Sequence, residues 1–131
     1  VTQREKELAT ALIAANRAPA NAYTGGDRAA IESAVRSAWK ARYPNLQVLE
    51  VRMPESWSRE TGWRWDSTSK AFRRFDESSM RVSTVLATSP TVATWQTQWV
   101  HTFHLSGNKL VVQPFKYDEP SPRHQLLRSN L

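Results

Sequence analysis

The feature that most constrains this chain is a change in the spacing of its apolar residues near Pro44. Before Pro44 apolar residues recur at every third or fourth position, and after it they alternate at every second position. The first spacing places side chains on one stripe of a helix, and the second places them on one face of a strand. The chain is therefore predicted to be α+β, with N-terminal helices over residues 2–43 packed on an antiparallel sheet over residues 46–117.

The first helix is predicted over residues 2–16. Thr2 and Glu5 have the spacing of a capping box, in which each side chain binds the backbone amide of the other residue. We expect the helix to pack against the rest of the chain through one narrow stripe, formed by Leu8, Ala11, Leu12 and Ala15.

The second helix is predicted to begin after Asp27, which is expected to be its N-cap, and to end before Pro44. Glu32 is spaced to pair with Arg28 or Arg36 on its exposed side. Its buried stripe is the strongest helical pattern in the chain and contains Ile31, Ala34, Val35, Ala38 and Trp39.

Four shorter segments after Pro44 are typical of strands and turns. In a first strand, Leu49, Val51 and Met53 are expected to share a face. Residues 57–75 indicate a hairpin that turns at residues 66–69, and residues 80–88 alternate again. Residues 76–79, which begin with Asp76, are expected to form another turn, because Asp and Ser side chains bind nearby backbone amides.

The longest strand is predicted over residues 92–105. Its buried face is expected to contain Ala93, Trp95, Thr97, Trp99, His101, Phe103 and Leu105. Gly107 and Asn108 favour a two-residue hairpin, which would place Leu105 opposite Leu110, Phe103 opposite Val112 and His101 opposite Pro114. Pro114 predicts an edge strand or a bulge, and the tail, residues 118–131, is expected to leave the sheet and to end in a short helical turn.

This order, two helices followed by an antiparallel meander, resembles the cone-shaped rolls of the NTF2-like superfamily and the related cystatin-like arrangement. The resemblance implies a curved sheet of four to six strands. NTF2-like folds include enzymes, ligand-binding proteins and assembly domains, so the resemblance implies no particular catalytic residue.

Composition limits the function classes further. A chain of 131 residues has the size of one domain, which is expected to cover residues 1–131. Its apolar runs are far shorter than the roughly 20 residues that cross a bilayer, so a soluble domain without a transmembrane segment is expected. The absence of cysteine excludes disulfides and cysteine metal sites, and no pattern indicates a cofactor or a metal. The N-terminus has neither Met nor an apolar signal core, which suggests a trimmed product, and localisation stays open.

Tryptophan and arginine provide the main candidate binding residues. Six tryptophans are many for this length, and we expect Trp39, Trp95 and Trp99 to fill the core. Between residues 57 and 75 aromatic and arginine side chains interleave, which is typical of an interface but is also compatible with an extended core. The candidate binding residues are Trp57, Arg59, Trp63, Arg64, Arg73 and Arg74.

His101 is the candidate catalytic residue. It shares a predicted face with Trp95, Trp99 and Phe103, and in a cone-shaped sheet that face would line a pocket in which a histidine can transfer protons. A core histidine bound to a neighbouring carbonyl or hydroxyl explains the same pattern. Asp66 or Asp76 could partner it, but turn formation also accounts for both.

These observations leave three hypotheses. The first is a non-catalytic binding or assembly domain, a protein-interaction subunit that binds a partner or a second copy. The second is a small-molecule enzyme or ligand carrier with a pocket between helix and sheet. The third is nucleic-acid binding, favoured by a net charge of +6.

Overall fold

The computed structural model describes residues 2–131 and confirms an α+β fold with N-terminal helices and a curved, open antiparallel sheet. The helices are α1 (Gln3–Ala15) and α2 (Arg28–Arg42). The strands are β1 (Val48–Arg52), β2 (Ser58–Asp66), β3 (Ala71–Ala87), β4 (Val92–Phe103), β5 (Lys109–Val112) and β6 (Gln125–Leu127). Neither helix is long and apolar enough to cross a membrane.

The 17-residue strand β3 organises the sheet. One of its edges pairs with β2 and then with β1, and the other pairs with β4, which also pairs with β5 and β6. The predicted turn at residues 76–79 is wrong, because β3 continues through it. The Asp76 carboxylate accepts two hydrogen bonds from the Arg59 guanidinium on β2, at 2.8 and 2.6 Å, and so its acceptors are satisfied within the strand pair.

Helix α2 packs on the sheet through its predicted stripe. Ile31, Val35 and Trp39 are fully buried in one cluster with residues of β1, β3 and β4. The Trp39 indole N–H donates to Gln98 Oε1 at 3.3 Å, and the Thr84 hydroxyl donates to the same oxygen at 2.6 Å. These two bonds join α2, β3 and β4 inside the core.

Asp27 occupies the predicted N-cap position of α2, but its side chain does not cap the helix. The Asp27 carboxylate makes no cap hydrogen bond and instead accepts from the Tyr23 hydroxyl and, at 2.7 Å, from the Trp57 indole N–H. Partial burial favours a higher pKa for Asp27, but the hydrogen bonds from Tyr23 and Trp57 outweigh it and hold the pKa below its usual value. On the exposed side of α2, Glu32 and Arg36 form the predicted ion pair at 3.1 Å.

Helix α1 has the predicted capping box but packs through a different side, which lies roughly one residue, or about 100°, further around the helix. The predicted stripe is exposed, with Leu8 and Leu12 among the exposed large apolar residues, while Ala9 and Ile13 are half-buried. The helix contacts the C-terminal segment, which does not leave the sheet as predicted. That segment returns as β6 and pairs with β4, and packing on it selects the side of α1 that contains Ala9 and Ile13.

The predicted buried face of β4 is correct at the start of the strand, where Ala93 is fully buried, and wrong from Gln98 onward. Gln98 and Val100 point toward α2 and are buried, whereas Trp99 lies on the opposite face and is exposed. The polar side chain of Gln98 can be buried in the core because Trp39 and Thr84 both donate hydrogen bonds to its Oε1. Of the three tryptophans expected in the core, Trp39 is fully buried, Trp95 is half-buried at a second cluster with Leu126, and Trp99 is outside.

Two strand registers differ from prediction. Phe103 lies opposite Lys109 and His101 opposite Val111, because residues 104–108 form a longer loop with a 3₁₀ turn and positive φ at Gly107 and Asn108. An irregularity between Val48 and Glu50 shifts β1, so Val48 joins the α2-side cluster and Leu49 joins the second one.

Candidate functional site

The hairpin of β2 and β3 extends beyond the rest of the sheet. Strand β4 pairs with β3 only as far as Glu77, so residues 71–76 pair with β2 alone. We call this ribbon, residues 61–76, the arm. Six residues per strand at about 3.3 Å each give it a length of roughly 20 Å. A two-stranded ribbon contributes little to its own stability, so the contacts within the arm decide whether it holds its shape.

The turn of the arm is fixed by Asp66, as the sequence predicted. Its Oδ1 accepts from the backbone N–H groups of Thr68 and Ser69, at 2.9 and 3.3 Å, and its Oδ2 accepts from the Arg73 guanidinium at 3.0 Å. Hydrogen bonding from Ser69, followed by that from Thr68 and Arg73, holds the pKa of Asp66 below its usual value. Lys70 completes the turn with a φ of 53°.

One face of the arm is aromatic and open to solvent; we call it the aromatic face and define it by Trp63, Trp65, Phe72 and Arg74. The exposed fractions of Trp63, Trp65 and Phe72 are 68, 57 and 66%. With 150–250 Å² for each side chain, the three expose roughly 300–500 Å². A patch of that size is typical of the largest apolar patch on a monomer, which is often functional.

The other face of the arm is closed by its own contacts. The Arg64 guanidinium lies 3.9 Å from the centre of the Phe75 ring and binds Glu77 at 2.6 Å. Gly62 leaves room for this arrangement, because a Cβ atom there would lie 2.9 Å from the Phe75 ring. These contacts order the ribbon and leave the aromatic face as its open side.

Most arginines of this hairpin are already neutralised. Arg59 pairs with Asp76, Arg64 with Glu77, and Arg73 with Asp66, at 2.6 to 3.0 Å. The hydrogen bond from Arg59 holds the pKa of Asp76 below its usual value. Within residues 2–131, Arg74 and Lys70 make no such ion pair, so the excess positive charge of the arm lies on these two side chains.

The structure separates the predicted binding residues. Trp63 and Arg74 lie on the aromatic face, and Arg64 and Arg73 lie on the other face. Trp57 lies outside the arm, against the α2-side core.

Two members of the aromatic face, Trp65 and Phe72, were missed as site residues. They lie directly opposite each other across the turn, with ring centres 5.3 Å apart. Counting equal distances from the predicted turn at residues 66–69 pairs Trp65 with Lys70 instead, because the turn lies one residue later, at residues 67–70.

His101 lies on the sheet face opposite α2, so it does not line a space between helix and sheet. Its ring is stacked alongside Trp99 and Phe103, with ring centres 6.5 and 5.9 Å away. Its Nδ1 is hydrogen-bonded to Ser79 Oγ at 2.8 Å, and its Nε2 to Gln113 Oε1 at 2.9 Å.

A groove of about 410 Å³ opens beside this chain of hydrogen bonds, lined by Glu55, Ser56, Ser58, Glu60, Ser79, Arg81 and Trp99. Arg81 and Glu55 meet through two parallel contacts, of 3.1 and 3.0 Å. The side-chain hydrogen bond from Arg81 holds the pKa of Glu55 below its usual value. We call this feature the outer groove.

A scan against protein-family models found no family that matches the chain, and searches of curated proteins and of solved structures found no similar protein. The two candidate sites of the chain are therefore the aromatic face of the arm and the outer groove.

Proposed function

We propose that this chain is a binding or assembly domain that captures a protein partner through the aromatic face of the arm. The observation that carries the proposal is the exposure of Trp63, Trp65 and Phe72 on one side of an ordered ribbon. Exposing three large aromatic side chains to water is unfavourable, and a partner would relieve this. Trp and Arg are also the residue types most enriched among those that dominate binding energies.

The charge distribution of the β2–β3 hairpin favours a protein over a nucleic acid as the partner of the aromatic face. Affinity for DNA depends on the number of phosphates that free cations neutralise, and ion pairs already occupy three of the five basic residues between 58 and 79. Only Arg74 and Lys70 remain. Two phosphate contacts correspond to a salt slope of only about −2, far from that of a strong nucleic-acid binder.

The same features describe the partner surface. It is an apolar groove that accepts the three aromatic rings, with a carboxylate placed to meet Arg74, which lies directly opposite Trp63. A second copy of this chain is the competing occupant, and the outcome of the test separates the two. The order of elements still resembles that of NTF2-like rolls, but a fold of this class does not choose among binding, assembly and catalysis.

The test begins with isolation of the partner from native extract on the immobilised chain, followed by titration calorimetry with that purified protein. We expect Trp63→Ser and Phe72→Ser each to weaken binding by roughly 30-fold, the effect of losing about 2 kcal/mol at an interface centre. Leu8→Ser is the matched control, since Leu8 is also more than half exposed but lies on α1, and it should leave the affinity unchanged.

Three results would contradict the proposal. They are equal affinities for all four proteins, binding that disappears steeply with salt, and a chain that captures no protein. Concentration-dependent dimerisation abolished by Trp63→Ser would instead assign the aromatic face to a second copy.

A further inference from the structure

We propose that Ser79, His101 and Gln113 form a nucleophile, base and orienting group that hydrolyse small carboxylic esters in the outer groove. This proposal is independent of the arm, because the three residues lie on the sheet face opposite the aromatic face. It would give the domain a reaction of its own in addition to a partner.

The hydrogen bonds fix the direction of proton transfer. Gln113 Oε1 can only accept, so the bond of 2.9 Å places a hydrogen on His101 Nε2. In a neutral imidazole the other nitrogen then carries a lone pair, and Nδ1 accepts from the Ser79 hydroxyl at 2.8 Å. A hydroxyl held in this way by a base, which is held in turn by a third group, meets the geometric requirement for an activated nucleophile.

The sheet holds Ser79 and His101 in place, and Gln113 directly follows β5, with its backbone N–H donating to the Trp99 carbonyl at 2.8 Å. Ser79 on β3 is the direct cross-strand neighbour of His101 on β4, so the Ser–His contact follows from the strand register. Trp99 and Phe103 flank the imidazole on the same strand and restrict its rotation. Groups mounted on paired strands are held more rigidly than groups on loops, and this preorganisation favours catalysis.

The outer groove gives the nucleophile space and a cation. Ser79 lines the groove together with Trp99, whose exposed ring offers an apolar surface to an acyl or alkoxy group. Arg81 lies two positions along β3 on the same face. Glu55 binds its Nε and Nη2, so the N–H groups on Nη1 remain to donate to a developing oxyanion.

The reaction needs no external oxidant, reductant or cofactor. The Ser79 proton moves to His101 Nδ1 while Oγ bonds to the ester carbonyl carbon, and the π electrons move onto the carbonyl oxygen beside Arg81. When the intermediate collapses, the C–O bond to the alcohol breaks and the alcohol oxygen takes the proton from Nδ1. Water then repeats both steps on the acyl-serine, which releases the acid and returns the proton to Ser79.

The chain contains a comparable arrangement whose serine is buried. Ser78 Oγ is hydrogen-bonded to His104 Nε2 at 2.8 Å, and His104 Nδ1 to Asn108 Oδ1 at 2.9 Å. Ser78 is only 5% exposed and lies on the face of β3 that points toward α2. A substrate cannot reach it, so this second group is structural and provides a matched control.

The test uses a fluorophosphonate, which phosphonylates activated serines with loss of fluoride. Peptide mass spectrometry then locates the adduct, and hydrolysis of p-nitrophenyl acetate measures the activity. We expect one adduct, on Ser79. Ser79→Ala should abolish labelling and hydrolysis, and His101→Gln should slow both by at least about 100-fold, the usual contribution of a general base. Ser78→Ala should label at the wild-type rate, because Ser78 is buried on the other face of β3.

The proposal is overturned if Ser79 stays unlabelled under conditions that label a known serine hydrolase, or if His101→Gln reacts as fast as wild type. Circular dichroism of each variant shows that it is folded. If His101→Gln does not fold, Gln113→Leu takes its place and should slow labelling, because it removes the acceptor that fixes the tautomer of His101.

Discussion

The buried amide of Gln98 permits a sharp test of how the core holds α2 on the sheet. Its Oε1 accepts from Trp39 and Thr84, whereas its Nε2 has no hydrogen-bond partner among residues 2–131. A single oxygen therefore satisfies two buried donors, so substitutions of Gln98 and Thr84 should be strongly coupled in their effects on stability.

Each substitution has a different expected cost. Thr84→Val removes one donor and nearly preserves volume, so it should destabilise the fold by about 1 kcal/mol. Gln98→Leu leaves two buried donors unpaired, at about 1–3 kcal/mol each, but also removes the unpaired Nε2 group, which offsets about 1–3 kcal/mol. The expected net loss for Gln98→Leu is therefore about 2 kcal/mol.

The double variant should reverse the sign of the Thr84 effect. In the Gln98→Leu background, Thr84→Val removes an unpaired hydroxyl, so it should stabilise the protein by about 1 kcal/mol. The coupling energy is then about 2 kcal/mol, well above the 0.3–0.5 kcal/mol scatter of independent sites. Guanidinium unfolding followed by tryptophan fluorescence measures all four proteins. Additive effects would refute the shared-acceptor account.

Two further predictions concern the arm and α1. Asp76→Asn should lower the thermal midpoint, because Arg59 holds the pKa of Asp76 in the folded protein below its value in the unfolded chain. The stabilisation from this carboxylate is fully present above the unfolded pKa, roughly 3.9. It is lost as the pH falls through the lower folded pKa. The difference in midpoint between wild type and Asp76→Asn should therefore be largest near neutral pH and shrink toward pH 2; an equal difference at both pH values would contradict the ion pair. On α1, Leu8→Ser and Leu12→Ser should each change the unfolding free energy by less than about 0.5 kcal/mol, because both side chains are exposed. Ile13→Ser should lower it by at least about 1 kcal/mol, because Ile13 is half-buried. Chemical denaturation measures all three variants, and the reverse order would contradict the observed side of contact.

Sequence periodicity predicted the elements better than the faces they bury. The rhythm of Ile31, Val35 and Trp39 identified both a helix and its buried side, because the apolar residues of α2 contact the sheet directly. The alternation of apolar residues predicted the wrong buried face for the second half of β4. There the apolar side chains of Trp99 and Phe103 lie outside, while the polar Gln98 lies inside.

The cause of that failure is tertiary pairing that the sequence does not display. Gln98 can be buried because Trp39 and Thr84, 59 and 14 positions away, both donate to it. The exposed stripe of α1 has a similar cause, since a segment more than a hundred residues later determines which side of α1 has a neighbour.

The candidate sites were predictable to different degrees. Asp66 is a typical turn-forming residue, so the hairpin could be predicted from the sequence, and with it the place of Trp63 on a strand next to the turn. The Ser79 contact to His101 required the register of β3 against β4, and that register depends on continuity through residues 76–79, where a turn was expected. The Gln113 contact required a loop length that the Gly107–Asn108 pattern did not reveal.

The attachment of α1 links the two ends of the described chain. The Asn16 side chain donates to the carbonyls of Pro122 and Gln125, and the Asn130 side chain donates to the carbonyl of Ala14. Hydrogen bonds therefore join the C-terminal end of α1 to the last dozen residues. Strand β6 also pairs with β4 at Ala93, and its Leu126 is buried with Ala93 in the second core cluster. Loss of the C-terminal residues would therefore free the N-terminal helix and open the second core cluster in one event, so the two termini should behave as a single cooperative unit.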